Sequence, residues 1–127
     1  MQIQSIDHIV LTVADIEKTI WFYTKVLDFK VETFGNNRKA LKFVNQKINL
    51  HQKGFEFEPK ADSPTSGSAD LCFIAKTDIT TVMTELKEKE IEVVEGIVER
   101  TGAMGKIKSI YIRDPDKNLI EISNYTE

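Results

Sequence analysis

Asp7-His8-Ile9-Val10-Leu11-Thr12-Val13-Ala14-Asp15-Ile16 decides how this chain is read, because its pattern returns at Asp70-Leu71-Cys72-Phe73-Ile74-Ala75-Lys76-Thr77-Asp78-Ile79. Each stretch is an apolar run rich in strand-forming residues that ends at an aspartate placed to cap a helix. Asp15 and Asp78 stand 63 positions apart and His8 and Asp70 stand 62 apart, so the copies differ by one residue ahead of the helix.

Working outward, residues 3–13 read as a strand, and Ile16, Ile20, Tyr23 and Leu27 recur at helical spacing as an apolar stripe that ends near Asp28. Strand-like runs follow at 30–34, 39–44 and 48–51, with Gly35-Asn36-Asn37 and Asn45-Gln46 as turns. Between about Gly54 and Ser68 the prolines and the run Ser63-Pro64-Thr65-Ser66-Gly67-Ser68 predict a loop. The order then repeats: strand 70–75, N-cap Asp78, a stripe of Ile79, Val82, Met83 and Leu86, and strands 92–98, 107–112 and 118–123 around a Gly102/Gly105 loop. The fold class is therefore α+β, a single domain over 1–127 built from two βαβββ modules at about 1–56 and 67–127.

Composition narrows the function. The chain has 127 residues, 29% charged and 41% hydrophobic, as expected of a globular protein, and a net charge of −3 with no basic block or basic aromatic stripe, which argues against nucleic acid. No run approaches the roughly 18 apolar residues of a membrane span, and Met1-Gln2-Ile3-Gln4 lacks the basic start of a signal peptide. The expectation is a cytoplasmic protein with no membrane partner. Cys72 is the single cysteine, so no internal disulfide forms, and its apolar strand predicts a buried small side chain.

Strand parity picks out the chemistry. His8 alternates with Ile9 and Leu11, His51 shares a face with Asn49 and opposes Leu50, Asp70 and Cys72 oppose Leu71 and Phe73, and Glu121 opposes Ile120 and Ile122. Two imidazoles and two carboxylates, one donor on the first and last strand of each module, are expected on the faces that the helices leave uncovered. His8, His51, Asp70 and Glu121 together make a divalent-metal donor set.

Three stretches carry a family resemblance: Asp7 to Val13, Phe22-Tyr23-Thr24-Lys25-Val26-Leu27-Asp28-Phe29, and Ile112-Arg113-Asp114-Pro115-Asp116-Lys117-Asn118-Leu119-Ile120-Glu121. In order and spacing they resemble the vicinal oxygen chelate superfamily of glyoxalase I, the fosfomycin and bleomycin resistance proteins and the extradiol dioxygenases. Lys47-Ile48-Asn49-Leu50-His51 and Gly67-Ser68-Ala69-Asp70-Leu71-Cys72 look like its small glyoxalase-domain and bacterial virulence-protein subgroup. The resemblance implies a curved mixed sheet around a cavity, with a zinc, nickel, manganese or iron ion on His8, His51 and Glu121 and with Asp70 as a ligand or an orienting group. It departs from glyoxalase I, which commonly has a carboxylate at the place of His51 and histidine or glutamine at that of Asp70. Lys117 stands where the family often has glycine, so a left-handed residue is expected there.

The expected activity is that of a glyoxalase-like lyase or isomerase acting on a small oxygen-chelating substrate such as a glutathione hemithioacetal, with Glu121 as general base. The alternatives are a non-catalytic small-molecule binding or resistance protein and an extradiol-type dioxygenase using the two-histidine, one-carboxylate triad. Arg38, Lys42, Arg100 and Lys106 are the cations expected to meet an anionic substrate. Trp21, Phe22 and Tyr23 read as core packing, and the sheet edges of two short modules predict a homodimer.

Overall fold

The structure, a computed structural model, describes residues 1–126; Glu127, the end of the expected second module, lies outside them. The chain divides into two compact units, Met1–Ser68 and Ala69–Glu127. Each has the order strand, helix, three strands, so the α+β class and the two βαβββ modules hold. Among the described residues no helix is long and apolar enough to cross a membrane.

In the first unit, β1 (His8–Val13) leads into α1 (Ile16–Lys25), followed by β2 (Lys30–Phe34), β3 (Arg38–Phe43) and β4 (Gln46–Gln52). The strands form a mixed sheet in the order β1-β4-β3-β2, with β1 parallel to β4 and the other neighbours antiparallel. The first strand starts at His8 and not at residue 3, because its sole partner, β4, begins at Gln46 and pairs from Lys47 against His8. Asp15 caps α1 as expected, its carboxylate accepting from Lys18 N at 3.2 Å. The most buried helix positions are Thr19, Phe22 and Tyr23 with Val26 beyond, an i, i+3, i+4, i+7 stripe centred one residue away from the expected one. Trp21 consequently points outward and is 58% exposed, whereas Phe22 and Tyr23 enter the core with Leu11, Val13, Leu41, Ile48 and Leu50.

In the second unit, β5 (Asp70–Ile74) and α2 (Ile79–Glu88) precede β6 (Glu95–Gly102), β7 (Gly105–Arg113) and β8 (Leu119–Tyr125), in the sheet order β5-β8-β7-β6. Ile79, Val82 and Leu86 of α2 are buried, as are Ile110, Ile112, Ile120 and Ile122 of the sheet. The sixth strand runs to Gly102 because its hairpin register, Gly102 against Gly105, is set at the turn and extends back from it. A bulge between Gly96 and Val98 interrupts that ladder. Gly96 has φ +151°, and a Cβ there would stand 3.0 Å from Ile110 Cα, so no larger residue fits. Past the bulge Arg100 lies opposite Ile107 and shares the face of Ser109 and Tyr111.

Both units fasten the strand-to-helix turn with an amide from their last strand. Gln52 Oε1 accepts from Ile16 N at 3.2 Å while its Nε2 donates to Ala14 O at 2.6 Å. Asn124 Oδ1 accepts from Ile79 N at 2.6 Å while its Nδ2 donates to the carbonyls of Ala75 and Thr77 at 3.0 Å. Each amide satisfies a helix N-terminal donor that the helix itself leaves unpaired.

Candidate functional site

The helix-free face of the first sheet is a set of cross-strand rows. One row runs Lys30, Lys42, Lys47 and His8, the next Glu32, Ala40, Asn49 and Val10. The third holds Phe34, Arg38, His51 and Thr12, with Arg38 facing His51 one step beyond the Lys39–Leu50 pair. His8 and His51 share this face, as parity predicts, but stand four residues apart in register, roughly 13 Å along the strands. His8 is exposed and its Nδ1 lies 2.8 Å from Asp7 Oδ2.

His51 is buried, and its Nε2 stands 3.3 Å from Arg38 Nη2. Because a guanidinium only donates, that nitrogen carries the imidazole lone pair. Burial lowers the His51 pKa, and the neighbouring Arg38 charge lowers it further. The Arg38 guanidinium lies 4.4 Å from the Phe57 ring centre and 5.2 Å from that of Phe34, and Phe57 meets the His51 ring edge-on at 5.5 Å. Arg38 Nε and Asn49 Oδ1 are buried without a hydrogen-bond partner. Lys42 belongs to the exposed lysine row and not to this cluster.

The second sheet gathers a hydroxyl-lined carboxylate. Its helix-free face carries Asp70, Cys72 and Ile74 from β5, Leu119, Glu121 and Ser123 from β8, and Ser109 and Tyr111 from β7. Ser109 donates to Glu121 Oε2 at 2.5 Å and lies 2.7 Å from Ser123 Oγ; Ser123 reaches the same carboxylate oxygen at 3.4 Å. Tyr111, directly across from Glu121, accepts from Arg100 Nε at 3.1 Å, and Arg100 also donates to Glu95 at 3.3 Å. Burial raises the Tyr111 pKa while the Arg100 hydrogen bond opposes that rise. Asp70 is exposed and sits diagonally from Glu121 across β5 and β8, roughly 8 Å between Cα atoms.

Cys72 departs from the buried position expected for it. It shares the helix-free face, pairs in register with Glu121, and is exposed, with Sγ 3.4 Å from Ser123 Oγ. Desolvation still raises its thiol pKa, with Glu121 adding to the effect. Lys106 has the opposite parity from Ser109 and Tyr111 and pairs with Glu99 at 3.2 Å, away from the carboxylate. Sequence reasoning missed Asn49, Ser109, Ser123 and Tyr111 as site residues; Asn49 and Ser123 share the parity of His51 and Glu121 on their own strands, whereas Ser109 and Tyr111 come beside Glu121 only through the register of β7 with β8. Phe57 sits in the proline-containing segment and carried no such signal.

Donor chemistry divides the proposed metal ligands. His8 suits a cation, since the Asp7 carboxylate orients the ring through Nδ1 and leaves Nε2 as a lone-pair donor. Asp70 and Glu121 are suitable oxygen donors. His51 does not fit, because its lone pair faces a guanidinium cation. Among the described residues no group of three or more His, Cys, Asp and Glu side chains is gathered as a metal cradle.

Residues 5–122 match the family model described as the Glyoxalase/Bleomycin resistance protein/Dioxygenase superfamily. The chain belongs to that superfamily. Many of its members depend on a metal. Among curated relatives, the chain is 64% identical over 125 residues to the virulence protein STM3117 of Salmonella typhimurium, covering 98% of this chain and 87% of the relative. It is 56% identical over 127 residues to the glyoxalase domain-containing protein RDO1 of Mycosarcoma maydis, covering 100% of this chain and 72% of that one. The crystal structure of the Salmonella protein matches with a TM-score of 0.98 at 63% identity, over 99% of this chain and 100% of the other. The glyoxalase-like fold is thereby established for this superfamily member.

Proposed function

We propose that this superfamily member is a divalent-metal-dependent lyase or isomerase of a small oxygen-rich substrate, with Glu121 as the proton acceptor. The observation that carries the reading is the Glu121 carboxylate, anchored on one oxygen by Ser109 and Ser123 and set across the ladder from Tyr111. A carboxylate held in one orientation by buried hydroxyls is ready to take a proton from a carbon or oxygen placed beside it. His8, Asp70 and Glu121 are the residues whose donor chemistry suits the ion. Held there, a divalent ion would supply charge stabilisation for neighbouring substrate oxygens. Tyr111, with its hydroxyl fixed by Arg100, contributes a donor for the same developing charge.

Elemental analysis of the purified protein, with zinc, nickel, manganese and ferrous iron added back, tests the ion. Stoichiometric metal that disappears in Glu121→Ala and His8→Ala, together with chelator-sensitive turnover of a glutathione hemithioacetal, supports the lyase. A protein that takes up no metal sinks it. The second reading, small-molecule binding without turnover, is favoured by one observation: the buried histidine expected to ligate an ion is engaged by Arg38. Ligand binding in the presence of chelator, with no turnover, selects that reading.

A further inference from the structure

We propose that Arg38, His51 and Asn49 form a recognition subsite for a carboxylate flanked by a hydroxyl, the end group of an α-hydroxy acid, so that His51 serves substrate recognition and not metal ligation. The proposal rests on the reading above only in taking the ligand to be a small oxygen-rich molecule.

Arg38 is a preorganised cation that lacks an anion. Two phenylalanine rings hold its guanidinium, His51 accepts from Nη2, and Nε is buried with no acceptor. No carboxylate among the described residues pairs with it; the nearby Glu56 is taken by Gly54 N at 2.9 Å and faces Lys60 at 3.8 Å. An unmet N–H on a desolvated guanidinium is costly, and an oxyanion meets it with a charge-assisted hydrogen bond.

Asn49 adds the second requirement. It is 7% exposed, two residues along β4 from His51 and diagonal to Arg38 across the β3–β4 ladder, and its Oδ1 has no donor. A bare oxyanion leaves that carbonyl oxygen unpaired and adds repulsion between two acceptors. A hydroxyl on the neighbouring carbon donates to Asn49 while the carboxylate engages Arg38, which completes both unmet groups with one small fragment.

The lysine row supplies the field. Lys30, Lys42 and Lys47 lie opposite one another on this face, and none pairs with a carboxylate among the described residues. Like charges in register repel. The row thus holds this face positive although the chain as a whole carries −3, and it draws anions toward the subsite.

The test is an NMR titration of 15N-labelled protein in chelator with glycolate, acetate and inorganic phosphate, read at the arginine Nε–H and asparagine side-chain signals. With arginines only at 38, 100 and 113, Arg38→Lys assigns the Arg38 signal. The expected result is a saturable shift of Arg38 Nε–H by glycolate, binding about tenfold tighter than acetate or phosphate. Arg38→Lys should weaken glycolate by about tenfold or more with the backbone spectrum intact. Asn49→Ala should retain acetate binding and erase the preference for glycolate. Absence of saturable shifts, or shifts unchanged in Arg38→Lys, overturns the subsite. Equal binding of the three anions overturns the hydroxyl requirement and leaves a plain anion site. Because chelator is present throughout, failure of the lyase reading shows in the metal analysis and leaves this titration untouched.

Discussion

Ser109 and Glu121 lie diagonal to one another on neighbouring strands, the serine hydroxyl donating to Oε2 at 2.5 Å while Ser109 itself is wholly buried. The same hydroxyl lies 2.7 Å from Ser123, so one small side chain orients the carboxylate and joins it to a second hydroxyl. Ser109→Ala deletes a hydrogen bond to a carboxylate and leaves Ser123 short of a partner. The expected loss is about 1.5–3 kcal/mol of unfolding free energy in urea melts. An unchanged midpoint would show that the Ser109 contact contributes nothing in solution.

The paired amide clamps make a second prediction. Asn124→Ala strands Ile79 N and releases the carbonyls of Ala75 and Thr77, and Gln52→Ala does the same to Ile16 N and the Ala14 carbonyl. Each substitution should cost about 1–3 kcal/mol, with the larger effect at Asn124, whose bond to Ile79 N is the shorter. Amide hydrogen exchange should quicken at Ile79 or Ile16 in the matching variant and not in the other.

The strand and helix order was legible because alternation and Asp15/Asp78 capping are local signals. The faces of His8, His51, Asp70 and Glu121 followed from parity alone. Register was not legible. Placing His51 beside Arg38, and four residues along the sheet from His8, depends on how β4 pairs with both neighbours, and a two-residue slip keeps parity while changing every partner. Cys72 is a different case: the apolar character of its strand predicts burial, whereas its parity with Asp70 already sets it on the face away from α2, where it is exposed. Gln52 and Asn124 escaped notice because one is glutamine and the other asparagine, and their shared role appears only in three dimensions.

Lys117, expected from the sequence to be left-handed, has φ 68° in the turn from Asp114 to Asn118. Asp114 is buried and accepts from Asp116 N at 2.9 Å, Asn118 N at 3.0 Å and Asn118 Nδ2 at 2.8 Å; Asn118 Oδ1 in turn accepts from Ala69 N at 2.8 Å. Asp114→Ala breaks three bonds to a buried carboxylate and loosens the start of β5 through Asn118. A loss of about 3 kcal/mol or more is expected. Lys117→Gly relieves the left-handed strain and should raise stability by about 0.5 kcal/mol, so opposite signs within one turn check the assignment.

The His51–Arg38 contact gives the pH dependence. Burial first and the Arg38 charge second lower the His51 pKa below its ordinary 6.5, so the unfolded chain binds the proton more readily than the folded one. Stability from this residue is therefore complete above pH 6.5 and declines as pH falls toward the lower folded value. An imidazole titration by NMR should place the His51 midpoint below 6.5, and Arg38→Gln should move it upward by removing the second cause. His51→Gln should flatten the fall in stability below pH 6.5 in urea melts run across the range. A His51 midpoint at or above 6.5 in the wild type, or one that Arg38→Gln leaves in place, would contradict the guanidinium contact on which the oxyanion subsite depends.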